Sequence, residues 1–201
     1  MRELVVVGRP NSGKTLFCLN FAEYLGTKTV DVTFRTFDDL LTCRHFTVAE
    51  ARRELVSIVQ HKTRCVQSLV LKMPLGKTTV NFKLTDTCGI SETIHSSDTI
   101  RQGMAQTLSA VRFADFVIHI IDLTIVTPEF INAPANIDQE IYRYGLARRN
   151  YLLLANKIDL PEAKNNLRRL LSFLPQAPLL PISALYRKGF KEVRKYVARN
   201  I

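Results

Sequence analysis

Leu4-Val5-Val6-Val7 runs directly into Gly8, and Gly13-Lys14-Thr15 then opens a segment of helical periodicity. An unbroken apolar run of this length fits a strand covered on both faces, as in a parallel sheet between helices. Residues 14–25 read as a helix with Leu16, Phe17, Leu19, Asn20 and Ala22 giving a mostly apolar face, stopped by Gly26. Strand, glycine-bounded loop and helix in that order leave few options. Glycines let the backbone curl so that several N–H groups aim at one point, and the helix N-terminus adds its positive end. Such a loop is built to hold an anion. Gly8, Asn11, Ser12, Gly13, Lys14, Thr15 and Leu16 are its candidate binding residues. Lys14 is spaced to reach β- and γ-phosphates, and the Thr15 hydroxyl to ligate magnesium.

The rest of the chain alternates strand and helix. Residues 66–73 and 79–86 alternate apolar and polar around Pro74-Leu75-Gly76-Lys77, which predicts an antiparallel hairpin. Helices are expected over 97–113, 137–148, 161–174 and 188–198, and strands over 116–121, 151–155 and 179–182. This pattern predicts an α/β three-layer sandwich, a mainly parallel sheet with one antiparallel edge strand and helices on both faces. With 201 residues, 46% of them hydrophobic, one domain over 1–201 with a sizeable core is expected. Residues 27–61 exceed what that domain needs. Thr47-Val48-Ala49-Glu50 reads as a capping box before a helix ending near Gln60. The stretch 29–43 reads as an insertion or an enlarged flexible loop.

Three further motifs follow in order. Asp86-Thr87-Cys88-Gly89 comes after the hairpin's second strand, where a carboxylate can hold magnesium and Gly89 can offer its N–H to a γ-phosphate. Asn156-Lys157-Ile158-Asp159 follows the strand at 151–155. Asp159 can accept hydrogen bonds from the N1–H and 2-amino group of guanine, a donor pair that adenine lacks. Lys157 can lay its stem along the base, and Asn156 can brace the loops. Ser183-Ala184-Leu185 comes after the last strand, where backbone N–H groups can meet guanine O6. Together the motifs predict a guanine-nucleotide switch using GTP/GDP and Mg2+.

These residues resemble the translation-factor-class GTPases of the Era and TrmE type. Gly8-Arg9-Pro10-Asn11-Ser12-Gly13-Lys14-Thr15 is similar to that group's Gly-x-Pro-Asn-x-Gly-Lys-Ser/Thr, and Asp86-Thr87-Cys88-Gly89-Ile90 to its Asp-Thr-x-Gly with an apolar residue after it. The resemblance implies GTP hydrolysis with Lys14, Thr63 and Gly89 as the catalytic set and Thr15, Thr63 and Asp86 at magnesium. Thr63, in His61-Lys62-Thr63-Arg64, looks like the threonine that closes on the metal and γ-phosphate. Thr33, Thr36 and Thr42 stand as rivals. Some relatives hold a potassium ion with the loop asparagine, and Asn11 occupies that position. Ile90 replaces the glutamine with which many regulatory GTPases orient water, so hydrolysis is expected to be slow without an activator. A GTP-gated protein-interaction module with negligible hydrolysis is the alternative. The family includes ribosome-assembly and tRNA-modification factors, so RNA or the ribosome joins an effector protein among the expected partners.

Glu92, His95 and Asp98 are candidates to orient water, with Glu92 first and solvated loop residues as the other reading. His119 reads as a core residue and Cys88 as an inert neighbour of the nucleotide. The formal charge of +10 suits a polyanion or merely a solvated surface. Arg187, Lys188, Lys191, Arg194, Lys195 and Arg199, joined by Arg168 and Arg169, are the candidate basic face. The four cysteines have no metal-binding spacing and read as free thiols. No apolar run approaches the length of a bilayer span, and the N-terminus lacks signal-peptide anatomy, so a cytoplasmic protein is expected.

Overall fold

The computed structural model describes residues 1–56, 65–92, 97–148 and 150–201. In chain order the elements are β1 (Arg2–Val7), α1 (Lys14–Tyr24), β2 (Thr29–Arg35), β3 (Leu41–Thr47), α2 (Val48–Leu55), β4 (Val66–Leu75), β5 (Thr78–Asp86), α3 (Asp98–Phe113), β6 (Phe116–Asp122), a 3-10 turn (Leu123–Ile125), α4 (Pro128–Ile131), α5 (Ile137–Leu146), β7 (Tyr151–Asn156), α6 (Ala163–Phe173), β8 (Leu179–Pro181) and α7 (Phe190–Asn200). One eight-stranded sheet runs β3-β2-β4-β5-β1-β6-β7-β8. β5, β1, β6, β7 and β8 are mutually parallel. β4 is antiparallel to β5, as its hairpin turn at Gly76 requires.

The central strands are buried on both sides, and that sorts the helices. Leu4 and Val6 join a core with α1, α2 and α7, whereas Val5 and Val7 join a second core with α3, α5 and α6. In the first core Phe17 stacks on Phe21 at 5.4 Å, and Phe190 meets Phe17 edge-on at 5.5 Å, which seats α7 on α1.

The sheet departs from expectation at one end. β4 is not the edge: the hairpin β2–β3 continues the sheet beyond it, antiparallel throughout. Val30, Val32 and Phe34 alternate toward the first core and Phe46 sits opposite Val30, so β2 has one buried face while β3 buries Phe46 and leaves the rest exposed. The turn closes through Thr36 Oγ1 donating to Asp38 Oδ1 at 2.6 Å, with Asp39 in the left-handed region at φ 60°. Gln106 of α3 donates to Thr36 O at 2.6 Å and ties the hairpin to the second helix layer. The capping box forms as expected, Glu50 N donating to Thr47 Oγ1 at 3.2 Å and Thr47 N to Glu50 Oε2 at 2.8 Å. The helix is shorter than expected, because Val56 is already extended. Its expected continuation to Gln60, and the residues 57–64 that hold Thr63, lie outside the described residues.

Candidate functional site

The loops at the C-terminal ends of β1, β5, β7 and β8 meet over the start of α1, as adjacent parallel strands require. Asn156 ends β7 and is buried. Its Nδ2 donates to Ser12 O at 2.8 Å and its Oδ1 accepts from Ala184 N at 2.9 Å. One amide therefore fastens the loop 8–13 to the loop 183–185. The contact explains Gly13: φ is 96°, and a Cβ there would lie 2.3 Å from Asn156 Nδ2. Gly89 has a similar constraint, since a Cβ would stand 2.3 Å from Pro10 N. The Asp86–Gly89 turn is thus held against the first loop.

At the anion end, Lys14 is buried and its ammonium donates to Arg9 O at 2.7 Å. Burial pushes its pKa down from the usual lysine value. Thr15 Oγ1 donates to Asp86 Oδ2 at 2.6 Å, which brings the two expected magnesium ligands together. Burial pushes the Asp86 carboxyl up to about 6, against the Thr15 hydrogen bond and the Lys14 charge. Asp86 Oδ1 and Ser12 Oγ are buried without a hydrogen-bond partner among the described residues. Orphaned oxygens beside a buried lysine are what a cation and a phosphate would satisfy, so these residues fit magnesium and an anion. Asn11 has φ 60°, a conformation that asparagine tolerates better than most residues. Leu16 is half-buried, packed against the first core. Thr33, Thr36 and Thr42 belong to the β2–β3 hairpin, set apart from β1 by β4 and β5.

At the other end, Lys157 is left-handed, with φ 69°, and its Nζ donates to Asp122 Oδ2 at 2.5 Å. Asp122 is itself held by Thr124, whose N–H donates to its Oδ1 at 2.9 Å. The sequence reading missed Asp122, for which an acidic residue closing an otherwise apolar strand was the available signal. Asp159 is half-buried on the same loop. Ser183 and Ala184 are buried and Leu185 is exposed; Tyr186 N donates to Ser183 Oγ at 3.1 Å and tightens that loop.

Arg9 was also missed. Its Nε donates to Asp138 Oδ2 at 2.5 Å, its Nη1 to Glu92 Oε2 at 2.7 Å, and its guanidinium lies 5.2 Å over the Phe130 ring. Glu92 Oε1 also accepts from Ile137 N at 3.0 Å. Glu92 is therefore committed as a clasp between loops rather than aimed at water. Burial raises the Asp138 carboxyl pKa, but hydrogen bonds and charge from His119 and Arg9 outweigh it and hold the pKa below the usual range. His119 sits wholly inside, bonded to Asp138 Oδ1 at 2.9 Å and to the Tyr151 hydroxyl at 2.8 Å, a satisfied core residue as expected. Burial pushes the Cys88 thiol up to about 12, which suits an inert residue. Asp98 is exposed at the start of α3 and paired with Arg101, and His95 lies outside the described residues.

The basic face divides. α6 packs on the second core and α7 on the first, so Arg168 and Arg169 lie across the sheet from Lys191, Lys195 and Arg199. The apolar stripe of each helix decides which face of the sheet it covers, and basic residues on the outer sides then point apart. Arg187 is paired with Glu23, and Arg194 donates to Pro74 O at 2.9 Å.

The sequence profile described as 50S ribosome-binding GTPase matches residues 3–157. GTPase Obg of Shouchella clausii is 27% identical over 125 residues, which cover 60% of this chain and 28% of that protein. The chain spans under a third of the length of the curated relatives it matches. Among solved structures, an Aquifex aeolicus Era variant bound to GDP and AlF4− aligns with a TM-score of 0.69 at 24% identity, over 100% of this chain and 57% of that one. Era in complex with MgGDPNP and a segment of 16S ribosomal RNA aligns with a TM-score of 0.67 at 22% identity, over 99% and 56%. These likenesses establish the fold. No helix among the described residues is long and apolar enough to cross a membrane.

Proposed function

The chain belongs to the 50S ribosome-binding GTPase family, and on that premise we propose that it is a cytoplasmic GTP-binding and GTP-hydrolysing switch. Residues 1–201 act as one guanine-nucleotide domain, with 27–61 as an enlarged first switch. The observation that carries this reading is the double contact of Asn156, to Ser12 O and Ala184 N. It ties the loop that leads into Lys14 and Thr15 to the Asn156 and Ala184 loops, one of which carries Asp159.

In this reading Gly8, Ser12, Gly13 and Leu16 wrap the phosphates with backbone N–H groups, and Lys14 spans the β- and γ-phosphates. Magnesium, held by Thr15, Asp86 and Thr63, supplies charge stabilisation at the transferred phosphoryl group. Gly89 presents its N–H to the γ-phosphate. Asp159 takes the guanine N1–H and 2-amino group, Lys157 flanks the base, and Ser183, Ala184 and Leu185 border its O6 edge. Calorimetry with Mg·GTP and Mg·ATP tests this. Selectivity for GTP of at least about a hundred-fold is expected from leaving a carboxylate unpaired against adenine, and equal affinity refutes it.

A second reading, a GTP-gated interaction module with negligible hydrolysis, has its own support. Ile90 is buried, with its N–H bonded to Gly8 O at 3.2 Å, and the Glu92 carboxylate is occupied by Arg9 and Ile137. Neither is free to orient water. Single-turnover hydrolysis in potassium and in sodium, with and without ribosomes, separates the two. A partner in the ribosome or its RNA is supported by the family's description, by the Era complex with 16S ribosomal RNA, and by the exposed Lys188, Lys191 and Lys195 on or beside α7. Binding of that kind weakens steeply with salt. An effector protein would be selected by the GTP-bound switches.

A further inference from the structure

α2 lies in the segment that departs from the resembled family, yet it is wired into the loops read above as contacting the base. Arg52 of α2 donates from Nη1 to Asn20 Oδ1 at 3.0 Å and places Nη2 3.0 Å from Glu23 Oε2. Glu23 also receives the guanidinium of Arg187, just beyond the Ser183–Leu185 loop. Asn20 is buried within α1, only 2% exposed, and its Nδ2 donates to Ala184 O at 2.7 Å. Ala184 N then donates to Asn156 Oδ1 at 2.9 Å, and Asn156 Nδ2 to Ser12 O at 2.8 Å. One hydrogen-bond chain thus joins the insertion helix to the loop 8–13 through Ala184 and Asn156, at the ends of β8 and β7.

The buried amide of Asn20 is the sensitive link. It has one acceptor end and one donor end, and only one orientation serves Ala184 O. The Arg52 guanidinium, a donor without acceptor capacity, enforces that orientation by demanding the oxygen on its own side. Without Arg52 the Asn20 oxygen loses a charge-assisted partner inside the protein, and a flipped amide would set two carbonyl oxygens against each other. Ala184 O would then lose its donor, and the loop its buried tether to α1, leaving the exposed Arg187–Glu23 pair.

From this geometry we infer that Arg52 is a positioning residue for guanine-nucleotide retention, acting through Asn20 on the Ser183–Ala184–Leu185 loop, with α2 as the lever by which the insertion sets the nucleotide off-rate. The inference rests on the guanine-nucleotide reading of the cleft. Coupling of this kind is reciprocal, so bound nucleotide also fixes α2.

Release of a fluorescent GDP analogue tests it in the full chain, comparing wild type with Arg52→Ala, Arg52→Lys, Glu23→Gln and Arg53→Ala. Arg53 is an exposed neighbour on the same helix and serves as the control. Release is expected to accelerate about ten-fold in Arg52→Ala, as loss of a hydrogen bond to a charged group implies. The gain is smaller in Arg52→Lys and Glu23→Gln and absent in Arg53→Ala. Chelating magnesium should accelerate release by the same factor in wild type and Arg52→Ala, because Lys14, Thr15 and Asp86 are untouched; a general loosening of the domain would shrink that factor. Unchanged release in Arg52→Ala, equal acceleration in Arg53→Ala, or a reduced magnesium factor overturns the inference. Glu23→Gln carries the test should Arg52→Ala fail to fold. A wild type that retains ADP as well as GDP instead overturns the guanine reading beneath it.

Discussion

Replacing Asp86 with asparagine should strengthen the ligand-free protein while removing its use of magnesium. Asp86 is buried, with Thr15 Oγ1 at 2.6 Å on one oxygen and no hydrogen-bond partner among the described residues on the other. Burial lifts its pKa from 3.8 to about 6, so at neutral pH the folded state carries a carboxylate that it solvates poorly. The unfolded chain ionises near pH 4 and the native state only near 6. Between those values the unfolded chain binds fewer protons, and stability falls as pH rises. Above pH 6 the full cost is present, roughly 3 kcal/mol for a shift of this size. Asparagine has the same shape and no charge, and the Thr15 hydroxyl can accept from its amide. A gain of 2–3 kcal/mol corresponds to about 5–10 °C in a domain of this size. The assay is thermal unfolding from pH 4 to 8, with and without Mg·GDP. The expected result is a higher Tm for ligand-free Asp86→Asn at pH 7.5 and no difference at pH 4. Mg·GDP should protect wild type but give the variant no more than GDP in a chelator gives. A ligand-free variant that melts below wild type at pH 7.5, or one still protected by magnesium as wild type is, would refute the reasoning.

Asp159→Ala should weaken GTP binding about a hundred-fold and leave ATP binding as poor as before, because the lost contact belongs to guanine alone; competition against the fluorescent analogue reads this directly. Arg9→Ala should destabilise the fold by about 3 kcal/mol in urea, since it removes the guanidinium from Asp138, whose side chain is wholly buried. An unchanged urea midpoint would mean that His119 alone suffices for that carboxylate.

The motifs were legible in sequence because each depends on local chemistry. A phosphate loop must have glycine at Gly13, where φ is 96°, and a lysine and hydroxyl directly after it. The apolar runs at Leu4–Val7, Phe116–Ile121 and Tyr151–Ala155 announce strands covered on both faces whatever their neighbours. Segment 29–47 was not legible as a hairpin. Its alternation at Val30, Val32 and Phe34 is diluted by exposed polar residues, and a strand with one buried face looks like a loop until its partner is known. Nor could the sequence relate Arg52 to Ala184 or Arg9 to Asp138. Those pairs lie far apart along the chain, and only the stacking of α2 on α1, and of α5 beside the first loop, brings them within a hydrogen bond. The division of the basic residues between opposite faces was likewise a product of packing, set by which apolar stripe each of α6 and α7 had to bury. Local spacing thus determined the four motifs and the strands and helices that carry them. The tertiary fold decided which distant side chains hold those motifs in place, because a buried polar atom takes its partner from whatever the packing sets beside it.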